Sequence, residues 1–197
     1  MALVENGRAV DVRQIVCPLW QGLDKLDAAF AEAIPLLAKA PRVAVTMTGE
    51  LSDLFPDRET GVATLVGRLS SELGDRLRLW IGPRGFGSAD DARRHHGDVG
   101  STNFLATATL IGRKVPDALL IDFGSTTADI IPIKAGVPQP RGLTDAERQS
   151  TGELVYTGLT RTAVMGVTQA TPFRGAWLSL ARESLATMAD VRRILGR

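Results

Sequence analysis

Cysteine, aromatic side chains and net charge are all scarce in this sequence. Its 197 residues include one cysteine, Cys17, so no internal disulfide can form. A single thiol fits a reducing compartment, and the cytoplasm is the expected location. Aromatic residues make up 5% of the chain, with a single tyrosine, too few for a platform on which nucleobases stack. Lys and Arg number 23 against 22 Asp and Glu, a net charge of +1. That balance argues against a nucleic-acid binder working through general basic charge, and against an acidic disordered tail. No run reaches the ~18 apolar residues of a membrane helix, and Met1–Gly7 has no basic patch ahead of a long apolar core, so no secretory leader is expected. The two histidines, His95 and His96, are adjacent in sequence, so they point apart and form no metal pair by spacing.

What remains is an ordinary globular composition, 44% hydrophobic and 23% charged, in a chain long enough to bury a core without disulfide or metal. Arg8–Val16 alternates apolar and polar side chains and reads as a half-buried strand after a turn at Gly7. A hairpin partner is expected upstream, where six residues leave little room. Leu23, Leu26, Phe30, Ile34 and Leu37 follow helical spacing, with Pro35 as a kink or restart. Arg42–Met47 reads as a buried strand ending in Thr48-Gly49-Glu50. Val62, Leu65, Val66, Leu69 and Leu73 mark a second helix, and Leu77–Ile81 a further strand. A glycine-rich loop, Gly82–Gly87, leads into the polar segment Ser88–Gly97. A helix capped by Asp98 or Ser101 is then expected, with Phe104, Leu105, Ala108 and Ile111 on its buried face. Ala176–Gly196 is helical in pattern. Strand and helix alternate, which favours an α/β sheet carrying helices on its faces.

The segment richest in chemistry is Leu120–Ile131. Two apolar strands join through Gly124-Ser125-Thr126-Thr127, with Asp122 on one side and Asp129 on the other. Such a turn aims backbone N–H groups and small hydroxyls at one point, where an anion can sit. Gly124, Ser125, Thr126 and Thr127 are therefore candidates for phosphate binding, and Asp122 and Asp129 for Mg²⁺. A plain hairpin, in which Asp and Gly are common turn residues, accounts for the same pattern. Arg84 in the glycine-rich loop is suited to meet a phosphate. Ser101 and Asn103 sit at a helix start, where capping and ligand contact explain them about equally. Glu50 follows a strand at the end where α/β sheets place their sites. Glu153 and Arg161 flank Leu154-Val155-Tyr156 as an ion pair or as substrate contacts. Cys17, between Val16 and Pro18, reads as a packed thiol.

The Asp122–Asp129 segment resembles the phosphate-binding hairpin of the actin, sugar-kinase and heat-shock ATPase superfamily, in the form seen in its hydantoinase/oxoprolinase branch. Val16–Leu23, Thr46–Leu51, Thr151–Gly158 and Ala186–Val191 narrow the match. Together they resemble a subfamily associated with tetrahydromethanopterin-linked one-carbon transfer and, in archaea, with methanofuran biosynthesis. The resemblance implies an actin-like or ribonuclease-H-like fold. It also implies a transferase that condenses a furan-methyl diphosphate with a γ-glutamyl-tyramine-like phenol and releases pyrophosphate. Glu50, Asp53 and Glu153 are then the candidate general bases, and Mg²⁺ the expected cofactor. An ATP-using hydrolase or kinase on the same scaffold is the alternative, as is a chain that binds ligand or partner without turnover.

That superfamily carries two phosphate hairpins, one in each lobe. The first, an Asp-x-Gly-Gly turn ahead of a strand like Arg8–Val16, is expected before the point where this chain opens, and further chain is expected after Arg197. The architecture expected is thus an incomplete bilobal one, with an α/β region over 1–137 and the remainder over 138–197, divided near Pro138–Arg141. The expected partners are the small-molecule diphosphate and the phenolic acceptor, with no nucleic acid, no membrane, and a homo-oligomer left open.

Overall fold

The computed structural model describes residues 1–197. The chain is a mixed α/β protein with eight α-helices and four separate sheets. It divides into two compact units, Met1–Ala106 and Thr107–Arg197. The division expected near Pro138 falls inside the second unit, where Val137–Pro138 pairs with the strand before it.

The first unit opens with a hairpin, β1 (Ala2–Glu5) and β2 (Arg8–Val12). The partner strand that seemed to lack room is therefore present, because the turn is as short as a hairpin allows. Asn6 and Gly7 both adopt positive φ, 51° and 75°, the mirror-image turn whose twist matches paired strands and which Asn-Gly favours. Helix α1 (Leu23–Leu37) follows and carries Pro35 in its last turn. Three-residue strand β3 (Val43–Val45) pairs in parallel with β4 (Leu77–Trp80), and β5 (Phe86–Gly87) adds antiparallel to β4. Between β3 and β4 runs α2 (Arg58–Leu73). Asp57 caps it by accepting the Thr60 N–H at 2.7 Å, Gly74 ends it at φ 54°, and its i, i+3, i+4 apolar spacing puts Val62, Leu65 and Val66 in the core with Leu79 and Ile81. Each such side chain contributes about 1.5–3 kcal/mol by leaving water.

The polar stretch after the glycine-rich loop is helical, as α3 (Ala89–Arg94) and α4 (His96–Val99). The local cause is a reciprocal cap. Ser88 accepts the Asp91 N–H while the Asp91 carboxylate accepts the Ser88 N–H and hydroxyl. Helix α5 (Asn103–Gly112) leads into the second unit.

There β6 (Ala118–Phe123) pairs antiparallel with β7 (Ala128–Lys134), and β7 also pairs with β8 (Val137–Pro138) and β9 (Leu154–Val155). Strand β6 reads as apolar on both faces, yet Leu119, Ile121 and Phe123, alternate residues that share one face, are exposed. Helix α6 (Asp145–Ser150) sits between β8 and β9, and α7 (Val164–Val167) follows. A second isolated hairpin, β10 (Ala170–Phe173) with β11 (Ala176–Ser179), turns through Arg174-Gly175. The expected tail helix is thus a strand at its start, and the helix itself, α8, spans only Met188–Ile194. Ala176-Trp177-Leu178 is a continuous apolar run too short for periodicity to tell strand from helix, and the positive-φ turn at Arg174-Gly175 makes it the second strand of a hairpin.

Capping carboxylates are a recurrent device. Asp57, Asp91, Glu147 and Asp190 all titrate below their ordinary range because backbone and hydroxyl donors at helix starts hold the charged form, the Ser88 hydroxyl bringing Asp91 down to about 2. Their folded values lie below the unfolded ones, so the stabilisation is complete above the ordinary carboxylate range and is lost as pH falls through the folded values. An acid titration followed by far-UV circular dichroism is expected to show helix loss between about pH 4 and pH 2. Ser88→Ala, which removes the main partner of Asp91, should move that loss to higher pH. An unchanged titration would show that the caps do not set acid stability.

Candidate functional site

The side chains singled out by sequence fall into two groups, one in each unit. In the first, Glu50 lies in the loop after β3 and is 1% exposed. Its Oε1 accepts the Ser101 N–H at 2.8 Å, which holds Ser101 at a positive φ of 56° that a residue with a side chain rarely adopts. Its Oε2 has no hydrogen-bond partner, and neither has the buried Ser52 hydroxyl. Gly100 is flanked by Glu50 Oε1 and the Arg58 side chain, so a cation borders the carboxylate. Asp53 is exposed. Arg84, expected to be free for a phosphate, is engaged by Asp98, Nε to Oδ2 at 2.8 Å. Asn103 is exposed at the first position of α5. Cys17 is half-buried, and burial pushes its thiol up, which suits packing rather than nucleophilic attack.

The second group surrounds the turn between β6 and β7. The turn closes with Gly124 N–H donating to Thr127 O at 2.8 Å. Its carbonyls are held from one side by residues 158–162. Leu159 N–H donates to Gly124 O, Thr160 and Arg161 N–H both donate to Ser125 O, and the Thr162 hydroxyl donates to Thr126 O. With the carbonyl oxygens so held, the N–H groups of Ser125, Thr126 and Thr127 donate to no protein acceptor. Arg161 Nε lies 3.0 Å from Ser125 Oγ and adds positive charge beside these amides. Gly158 makes the approach possible, since a Cβ there would come within 2.5 Å of the Thr126 backbone.

Asp122 and Asp129 are directly opposed across the strands, so both carboxylates project from one face. Their environments differ. Asp122 is exposed, whereas Asp129 Oδ1 is paired with Arg148 Nη1 at 2.7 Å, and the Arg148 side chain is only 2% exposed. Arg148 Nη2 also donates to Glu153 O at 3.1 Å. The Glu153 carboxylate, expected as a base, has both oxygens engaged, by the Arg141 N–H at 2.9 Å and the Thr151 hydroxyl. No ion pair joins Glu153 to Arg161, which turns to Ser125 instead.

These facts test the fit of a divalent cation. No three His, Cys, Asp or Glu side chains gather in the chain. Asp129 is a poor ligand because Arg148 already neutralises it. Asp122 fits the one-carboxylate role that Mg²⁺ takes when phosphate oxygens and waters complete its shell.

Arg148, Gly158 and Thr162 were not recognised in the sequence. Arg148 lies within the polar run Asp145–Ser150, where nothing local marks a cation that will be buried. Gly158 had a signal, as the glycine closing the Thr151–Gly158 motif. That motif and Ala186–Val191 converge on the turn. Ala189 N–H donates to Thr160 O and Met188 N–H to Thr162 O, while Thr187 and Asp190 form a reciprocal cap.

Two curated proteins resemble the chain. Over 193 residues, 98% of its length, it is 29% identical to the (4-{4-[2-(gamma-L-glutamylamino)ethyl]phenoxymethyl}furan-2-yl)methanamine synthase of Methanocaldococcus jannaschii and covers 57% of that protein. Over 81 residues, 41% of its length, it is 33% identical to the synthase of the same name from Methanococcus vannielii and covers 36% of it. The chain therefore spans about half the length of the first of these relatives. No protein-family model matches the chain, and no helix is long and apolar enough to cross a membrane.

Removing one partner of a buried ion pair strands the other. Arg148→Met is therefore expected to cost about 3–5 kcal/mol, and Arg148→Met combined with Asp129→Leu should recover most of that loss. Urea unfolding of the two variants measures both. Equal losses would show that Asp129 is not the partner that matters.

Proposed function

We propose that this chain handles the diphosphate in a synthase of methanofuran-type cofactor biosynthesis. The reaction joins a furan-methyl carbon to a phenol oxygen, and the scaffold belongs to the actin-like, hydantoinase/oxoprolinase kind. The observation that carries the reading is the 29% identity over 98% of the chain to a synthase whose name describes a phenoxymethyl-furan. The free amides of Ser125–Thr127 add chemical support.

In the proposed reaction the bond between the furan-methyl carbon and the diphosphate oxygen breaks, with its electron pair leaving on the diphosphate. The electron-rich furan spreads the positive charge left on carbon. The phenol oxygen then forms the new C–O bond and gives up its proton. The protein's task is to position the partners and stabilise the anion, and preorganised N–H donors do this without reorganising during the reaction. The amides of Ser125, Thr126 and Thr127 meet the diphosphate oxygens, and Arg161 contributes charge beside them. Mg²⁺ bound through Asp122 would supply further neutralisation of the leaving group. A carboxylate base takes the phenol proton. Of Glu50, Asp53 and Glu153, the last is the weakest candidate because both its oxygens are already engaged.

The same amides would serve ATP phosphates, so the two readings are separated by turnover. Incubation with a furan-methyl diphosphate, γ-glutamyl-tyramine and Mg²⁺ is expected to yield ether and pyrophosphate in equal amounts, read by mass spectrometry, with no dependence on ATP. ATP hydrolysis without ether formation would replace this reading with an ATP-dependent hydrolase or kinase. No turnover of either substrate by the folded chain would replace it with a binding role.

Asp122→Asn is expected to weaken Mg²⁺-pyrophosphate binding at least about tenfold by calorimetry, the loss of one ligand charge, with an unchanged melting temperature because Asp122 is exposed. Unaltered affinity would remove Asp122 from the site.

A further inference from the structure

The first unit leaves a carboxylate oxygen, a guanidinium and a hydroxyl without partners in one neighbourhood. Glu50 is 1% exposed, and its Oε1 is taken by the Ser101 N–H while Oε2 meets no donor. Ser52, two residues on, has a buried hydroxyl that is equally unmatched. Arg58 opens α2 and is half-buried, and its guanidinium makes no hydrogen bond and no ion pair. The acidic residues near it in sequence or space are committed elsewhere. Asp57 accepts the Thr60 N–H, Asp98 holds Arg84, and Glu59 faces His96 at 3.9 Å. A Cβ on Gly100 would lie 2.9 Å from Glu50 Oε1 and 3.1 Å from Arg58 Nε. Carboxylate and guanidinium therefore border the same point, yet they do not pair with each other.

An unmatched buried carboxylate oxygen calls for a donor or a cation, and an unmatched guanidinium for an anion. Had the two faced each other, neither would need anything more. Held apart as they are, they suit a ligand that carries both signs on neighbouring atoms. The α-amino-acid head is that group, an ammonium and a carboxylate on one carbon. Its ammonium has three N–H donors, for which Glu50 Oε2 and the Ser52 hydroxyl are open acceptors. Its carboxylate matches the planar fork of Arg58. A plain amine would leave Arg58 unmatched, and a plain carboxylic acid would leave Glu50 unmatched. Glu50 and Ser52 lie on the loop between β3 and α2. Its internal backbone bonds are those of Ser52 N–H to Gly49 O and Phe55 N–H to Ser52 O, few enough for it to open and admit the head.

We propose that Glu50, Ser52 and Arg58 form a subsite for an α-amino-acid head, with the ammonium on Glu50 and Ser52 and the carboxylate on Arg58. The inference rests on the reaction proposed above and deepens it. The acceptor γ-glutamyl-tyramine is amidated at the side-chain carboxyl of its glutamate, so its α-ammonium and α-carboxylate are both free. The subsite holds the acceptor by the end that does not react, and its contribution is to position the phenol. Glu50, engaged by the ammonium, is then not the base. With Glu153 also engaged, Asp53 is the candidate left to take the phenol proton.

The probe is L-γ-glutamylethylamide, which has the head but no phenol, so its binding requires neither diphosphate nor turnover. Titrated into the full chain, it is expected to shift the Gly100 and Ser101 amide signals saturably in heteronuclear NMR spectra. N-ethylglutaramic acid lacks the α-amine and N-ethyl-4-aminobutanamide lacks the α-carboxylate, and each should bind at least about tenfold more weakly. Glu50→Gln keeps an oxygen for the Ser101 N–H and should weaken the probe at least about tenfold, without weakening the amine-free analogue. Arg58→Gln should weaken the probe similarly without weakening the carboxylate-free analogue, and it stands in if Glu50→Gln fails to fold. Equal binding of probe and carboxylate-free analogue would overturn the proposal in favour of a site for amines. Equal binding of probe and amine-free analogue would overturn it in favour of an anion site at Arg58. No saturable shift would overturn it outright and leave the ether-forming reaction to its own turnover test. Head-dependent binding by a chain that forms no ether would uphold the subsite and remove the reaction.

Discussion

The second unit depends on how the carbonyl groups of one turn are satisfied. Three consecutive carbonyls, those of Gly124, Ser125 and Thr126, accept from the single segment 158–162. A peptide plane whose oxygen is held on one side must present its N–H on the other, so anchoring the carbonyls also aims the amides. The anchoring segment is itself anchored, through the Thr160 and Thr162 carbonyls, by N–H groups at the start of α8. The turn is therefore held by residues far from it in sequence, and its geometry does not rely on the intrinsic preference of Gly-Ser-Thr-Thr.

Charge in the same region is distributed with similar economy. Two carboxylates directly across an antiparallel pair repel each other. Here the buried Arg148 takes one of them, and the exposed one is left with its charge unspent. Glu153 contributes through its main chain, receiving Arg148 and Ile130, while its side chain holds the Arg141 backbone. The two carboxylates on β6 and β7 look equivalent in sequence but have different roles, since one is structural and the other is available.

Much of this was legible in the sequence where the signal was local. The helix over Val62–Leu73 and the β6–β7 hairpin follow from periodicity and turn composition alone. Long-range partners were not legible. Nothing near Arg148 announces its burial, and Arg84 and Arg161 offer no hint that one pairs with Asp98 and the other with Ser125. The stretch from Ala176 failed for a different reason. Its first residues, Ala176-Trp177-Leu178, form an apolar run that periodicity cannot assign, and the deciding feature, the Arg174-Gly175 turn, lies just outside it. Glu50 was recognised as a candidate by its place after a strand, but its unpartnered oxygen could be seen only in three dimensions.

The tight turns at Asn6-Gly7, Ala135-Gly136 and Arg174-Gly175 have a kinetic consequence. Each closes a hairpin across two residues, so little chain entropy stands between the unfolded state and the first cross-strand pairs. Hairpins of this kind form in microseconds. The β3–β4 pairing, by contrast, must wait until all of α2 is folded back between its strands, and such non-local contacts set the pace of folding. The N-terminal hairpin can therefore be complete before β3 and β4 have paired.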